Sequence, residues 1–223
     1  METSEVICAV STAPGIGAIA VLRMSGTGCI ALTDRIFESP SGKKLTGAKA
    51  NTVHFGRILE EGCLLDEVLV TIFHAPHSFT GEESVEIACH GSLYIQQRLL
   101  QLLVNQGARL ATPGEFTQRA FLNGKMDLSQ AEAVADLIAS SSAASHRMAL
   151  KQMKGGFSAE LMKLRGELLH ITSLLELELD FSEEDVEFAD RSELRRIAGN
   201  IDELLTRLCR SFSLGNVIKN GYL

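Results

Sequence analysis

The sequence predicts an α+β unit built on a mixed sheet with helices, followed by part of an all-α bundle. Three observations lead there. Between Val6 and His90 the chain shows short runs with period-two alternation of apolar residues, which is the spacing of strands. Clusters of Gly, Pro, Asn and Ser separate those runs. From Leu128 onward, alanine and leucine recur at helical spacing. The division is expected at residues 1–120 and 121–223.

Val6 to Ser11 reads as a short strand and Thr12-Ala13-Pro14-Gly15-Ile16-Gly17 as a turn. Ala18 to Met24 is nearly continuous in apolar character, which predicts a strand buried on both faces. Arg23 stands at its end. The plain reading is an arginine snorkelling at a strand end; the other is a guanidinium poised for a carboxylate or carbonyl ligand. Gly15-Ile16-Gly17 does not continue into G-x-G-x-x-G, and no βαβ unit with an acidic ribose contact follows, so a dinucleotide loop is rejected. Gly28 to Phe37 is expected to be a short amphipathic helix and Ser39 to Asn51 an exposed loop.

Thr52 to Leu59 and Glu67 to His74 are expected as strands joined through Glu60-Glu61-Gly62. Ala75 to Glu83 is a loop. In the strand Ser84 to His90, Val85, Ile87 and Cys89 share one side, with Glu86, Ala88 and His90 on the other. A carboxylate in mid-strand is costly to bury alone. Glu86 therefore faces water, or forms a structural ion pair with Arg23, or binds a ligand. His74, His77 and His90 lack metal-ligand spacing and read as loop and strand-end histidines. Leu93 to Asn105 is an amphipathic helix, and Arg109 to Ala111 a short extended run.

Next comes Thr112-Pro113-Gly114-Glu115, where Thr112 is expected to cap a helix with Glu115 completing a capping box. Asn123-Gly124 closes that helix, and Asp127 with Gln130 forms a second capping box. Lys125 sits between two helix ends, where a fixed cation is a candidate ligand contact. Helices are expected over Leu128 to Met153, over Phe157 to Leu179, and from an Asp190 cap through Leu208 to an end at Ser213 to Asn216. Asp180 to Glu187 is an acidic connection without the ordered spacing of a calcium loop. Three helices and the stop at Leu223 read as a bundle short of its remaining members.

The chain has 223 residues and a net charge of −7, so its whole surface is not a nucleic-acid-binding one. No apolar run is long enough to cross a bilayer, and Met1 to Glu5 lacks a signal-peptide pattern. The five cysteines are scattered, mostly in apolar runs, and are expected as reduced core residues of a cytoplasmic protein.

The runs Leu22-Arg23-Met24-Ser25-Gly26, Ser78-Phe79-Thr80-Gly81-Glu82, Cys89-His90-Gly91, Pro113-Gly114-Glu115-Phe116, Arg119 to Leu128 and Gln130-Ala131-Glu132-Ala133 resemble those of the MnmE (TrmE) family of tRNA modification GTPases. The match runs through the whole chain in the family's order, and Arg119 to Ala133 is its most specific stretch. The resemblance implies a folate-binding, dimer-forming first domain and a helical domain into which a Ras-like GTPase domain is inserted. It also implies 5-formyltetrahydrofolate as the one-carbon source for wobble-uridine modification of tRNA, made together with the flavoprotein MnmG. By motif match the folate contacts fall on Arg23, Glu86 and Lys125, with no catalytic residue and no metal ligand assigned.

The sequence contains no G-x-x-x-x-G-K-[ST]. Val217 to Gly221 is where the family's GTPase domain would start, so GTP, Mg and K are expected only for that domain. This chain alone is then expected neither to hydrolyse GTP nor to complete the tRNA chemistry. It would bind folate more weakly than a relative that carries the far C-terminal lysine. Two other readings stand beside this one. A dimerisation and docking scaffold without ligand binding is the first. A self-sufficient folate-dependent aminomethyltransferase fits poorly, since no separate acid–base pair is visible.

Overall fold

The computed structural model describes residues 5–180 and 191–220. It divides into two compact units, Met1–Met126 and Asp127–Leu223.

The first unit holds a seven-stranded mixed sheet in the order β3-β4-β5-β6-β2-β1-β7. Its strands are β1 (Ile7–Val10), β2 (Ile19–Ser25), β3 (Phe37–Glu38), β4 (Thr52–Glu60), β5 (Cys63–Phe73), β6 (Ser84–His90) and β7 (Arg109–Leu110). All neighbours pair antiparallel except β1 and β7, which are parallel. Three α-helices belong to this unit among the described residues, α1 (Cys29–Thr33), α2 (Leu93–Asn105) and α3 (Glu115–Leu122), with a 3-10 turn at Leu45–Gly47.

Period-two alternation explains the core. Leu22 and Met24 of β2, Val85 and Ile87 of β6, and Val70 and Ile72 of β5 point to one face, where Leu99 and Leu103 of α2 join them in the buried cluster. Ile19 remains 67% exposed and Val21 and Arg23 are half-buried, so β2 is not buried on both faces as expected. Its continuous apolar run is two faces with different fates. On the far face Phe55, Leu69, Ala88 and Val21 are in register across four strands, and Phe55 and Leu69 stay exposed.

Several expected boundaries move for local reasons. The helix expected from Gly28 to Phe37 stops at Thr33. Asp34 there turns its carboxylate to the backbone N–H groups of Leu45 (2.6 Å) and Thr46 (2.9 Å), and Phe37 starts an edge strand. The hairpin between β4 and β5 turns on two residues, with positive φ at Glu61 (51°) and Gly62 (83°), as a type I′ turn requires. That tight turn lets β5 begin at Cys63 rather than Glu67. Helix α3 starts at Glu115 after Gly114 in the left-handed region, so Thr112 is not its N-cap. Cys8, Cys29 and Cys89 are buried core residues as expected, whereas Cys63 and Cys209 are exposed and not in the core. Burial pushes the Cys8 and Cys89 thiols up to about 11.

The described residues of the second unit form helices and no strand: α4 (Leu128–Ala139), α5 (Ala143–Met153), α6 (Gly156–Asp180) and α7 (Arg191–Asn220). The expected capping box of Asp127 and Gln130 is present at the start of α4. A second one, Ser142 with Ser145, starts α5 and breaks what was expected as one helix from Leu128 to Met153. Gln130 Nε2 donates to Met153 O (2.9 Å) and Gln152 Nε2 to Ser129 O (3.2 Å), which pins the ends of α4 and α5 together. Helix α7 continues through Ser213 to Asn216, where an end was expected. The Asp190 cap and the acidic connection lie outside the described residues, except Asp180, which ends α6. Among the described residues no helix is long and apolar enough to cross a membrane.

Candidate functional site

Arg23 and Glu86 face each other across β2 and β6, as direct register partners. One carboxylate oxygen, Oε1 of Glu86, accepts from both Nε (2.9 Å) and Nη2 (2.6 Å) of Arg23. Both side chains are 30% exposed, so the pair sits on the far face of the sheet in contact with solvent. Two aromatic rings flank the guanidinium, Phe79 with its centroid 5.4 Å and Phe116 with its centroid 5.8 Å from Cζ. Both distances lie within cation–π range. Phe79 comes from the loop between β5 and β6, and Phe116 from α3.

That loop is held from within and from both neighbours. Ser78 Oγ donates to Glu82 O (2.6 Å), Ser25 Oγ donates to Glu82 Oε2 (2.7 Å), and Ser25 and Thr80 hydroxyls share a 2.7 Å bond. After α3, Asn123 Nδ2 donates to Thr80 O (2.8 Å) and Lys125 Nζ to Pro76 O (2.9 Å). The structure thus brings Arg23 and Glu86 into contact. It anchors Lys125 to the loop that carries Phe79, and among the described residues no ion pair joins Lys125 to Glu86.

The base of α3 is tightly bound. Glu115 accepts from Arg109 Nη2 (2.6 Å), from the Thr112 N–H (2.8 Å) and from Arg119 Nη2 (3.2 Å). The Arg109 guanidinium, above all, pulls its carboxyl from 4.5 down to about 2. A depressed folded-state value means a stabilising contribution that is complete above 4.5 and fades as pH falls toward 2. Acid titration of thermal stability should therefore show a loss across that window, and Glu115→Gln should flatten it. An unchanged acid limb in the variant would contradict this assignment.

Two of the three histidines weighed as metal ligands, His74 and His90, have structural side-chain partners. His74 Nε2 contacts Ala48 O (3.0 Å), while buried Asp66 accepts the backbone N–H of His90 (2.8 Å) and pairs with its Nδ1 (2.7 Å). Among the described residues no group of three or more His, Cys, Asp or Glu side chains could hold a metal ion.

Phe79 and Phe116 are the site residues that sequence reasoning missed. Each looks like an ordinary core candidate, and only an aromatic placed in the otherwise polar Ser78-Phe79-Thr80-Gly81 loop could have pointed to it.

An ion pair on the open face of a mixed sheet, framed by two rings and followed in sequence by an all-helical unit, defines a two-unit protein with a candidate ligand site in its first unit. The family model described as the GTP-binding protein TrmE N-terminus matches residues 6–125, and that of the MnmE helical domain matches residues 128–223. The chain belongs to the MnmE (TrmE) family. A tRNA modification GTPase MnmE of Bacteroides fragilis is 64% identical over 97% of the chain and 47% of the relative. Proteins of the same description from Parabacteroides distasonis and Bacteroides thetaiotaomicron are 61% and 62% identical, again over 47% of their length. The chain therefore spans about half the length of the curated relatives it matches.

Proposed function

We propose that the first unit binds a reduced, formylated folate, 5-formyltetrahydrofolate, on the face where Arg23 and Glu86 meet. The observation that carries this reading is a mid-sheet ion pair flanked by Phe79 and Phe116. A reduced pterin presents a ring N–H beside an exocyclic amine, and a carboxylate accepts both with strong directionality. Glu86 has one oxygen engaged by Arg23, so the ligand takes Oε2 and shares or displaces the arginine at Oε1. Arg23 and Lys125 are the cations for the formyl oxygen and the glutamate tail. The two rings offer flat apolar surface to the pterin.

In this reading the folate supplies the one-carbon unit for wobble-uridine modification of tRNA in the cytoplasm, with the flavoprotein MnmG as partner. GTP, with Mg and K, acts in the part of the relatives' length that this chain does not span. The test is a calorimetric titration of 5-formyltetrahydrofolate into the chain. Saturable micromolar binding is expected, and absence of heat at millimolar ligand overturns the reading.

A second reading, a dimerisation and docking scaffold, has its own support. Phe55, Leu69, Ala88 and Val21 form an apolar row across the open face of the sheet, and the exposed members suit a second copy of this chain. We infer a homodimer through the first unit in either case. Sedimentation as a dimer without any folate binding would favour the scaffold alone.

A further inference from the structure

Arg119 is the least exposed charged residue among the described residues, at 2%. Its Nη1 donates to Glu82 Oε2 (3.1 Å) and to the Glu5 backbone oxygen (3.0 Å), and its Nη2 to Glu115 Oε1 (3.2 Å). Its Nε is buried with no hydrogen-bond partner among the described residues. Such an arrangement is a poor way to gain stability. Burying an ion pair costs about as much as the attraction returns, and well-packed apolar replacements are often neutral or better. An orphaned N–H adds to the cost.

What the arginine does supply is a fixed geometry. Glu82 also accepts from Ser25, two residues beyond Arg23 on β2, and Ser25 bonds Thr80 in the loop that carries Phe79. On the other side Arg119 lies one helical turn after Phe116 on α3. The Arg119–Glu82 contact therefore joins the two supports that present the rings to Arg23.

We propose that Arg119, acting through Glu82, is a positioning residue that holds Phe79 and Phe116 in place at the Arg23 guanidinium, where a flat conjugated ligand would meet them. The proposal rests on the folate reading of that site for its ligand, and on the hydrogen-bond network alone for its geometry.

Two variants test it in the full chain, each read by thermal midpoint, by amide hydrogen exchange over residues 76–84 and 115–124, and by titration with 5-formyltetrahydrofolate. The double variant Arg119→Met with Glu82→Gln removes both charges together. The single variant Arg119→Lys keeps the charge, but its one ammonium cannot reproduce the two-armed fork. The double variant is expected to melt within a few degrees of the parent. In both variants, exchange over 76–84 should rise about tenfold and folate affinity fall about tenfold. Unchanged exchange in the loop overturns the proposal, as does a melting midpoint of the double variant that falls in step with its affinity. If the parent chain binds no folate, the folate reading fails on that arm, while the exchange arm still decides whether Arg119 holds the loop.

Discussion

Gly91→Ala is expected to destabilise the first unit by about 3 kcal/mol, from overpacking together with weakened hydrogen bonds. A Cβ built at Gly91 would lie 2.3 Å from the carbonyl oxygen of Gly17 and 2.6 Å from its carbon, and both are backbone atoms that cannot swing aside. The two segments are tied together there. Gly17 N–H donates to Gly91 O (3.1 Å), Gly91 N–H to Ala18 O (3.2 Å), and Gln96 Nε2 to Gly91 O (3.1 Å). Moving the backbones apart would strain all three bonds. It would also disturb the join between β6 and α2, which covers the core. Gly47→Ala is the control. An added Cβ there meets nothing within 4 Å, so its effect should stay within about 0.5 kcal/mol. Chemical denaturation of the three proteins gives the answer, and equal stability of Gly91→Ala and the parent would refute the close-approach argument.

Glu86→Ala is expected to weaken 5-formyltetrahydrofolate binding at least tenfold, because a charge-assisted hydrogen bond contributes roughly 1.5–3 kcal/mol net. The variant should do little to the fold. The pair it breaks is 30% exposed on both sides, and an ion pair in contact with solvent contributes about 0–1 kcal/mol. Arg23 keeps its two flanking rings in the variant. Binding and stability thus separate cleanly at this position. Calorimetry would show equal affinity in variant and parent if the Arg23–Glu86 pair were only a cross-strand link in the sheet.

That pairing shows which parts of the site were legible in the sequence. Period-two spacing put Glu86 opposite the core residues Val85 and Ile87, and the burial of those residues agrees. A structural ion pair with Arg23 was one of the readings open for Glu86, and the register partnership supplies it. The flanking rings were not legible, because their convergence depends on a loop and a helix that are distant in sequence. The errors in the fold have a common physical origin. At Asp34 and at Ser142, a side chain that bonds nearby backbone N–H groups ended or restarted an element where apolar periodicity ran on. Gly215 did the opposite: it read as a terminator, yet it lies inside α7. The alternation in β6 and the capping box at Asp127 were readable because each is decided by residues a few positions apart.

The place of β1 in the sheet has a consequence for synthesis. The first strand lies between β2 and β7, and its parallel partner is Arg109 and Leu110. Val6 O and Cys8 O accept from the N–H groups of Arg109 and Ala111, and Glu5 O accepts from Arg119, 114 positions later. A chain emerging from the ribosome amino end first cannot close this sheet until that distant stretch is free. At 5–20 residues per second the interval is on the order of ten seconds. Throughout it, one edge of β1 lacks its partner while β2 is already available. Vectorial growth thus leaves the β1–β7 edge as the last part of this sheet to close, because its partner lies about a hundred residues further along the chain.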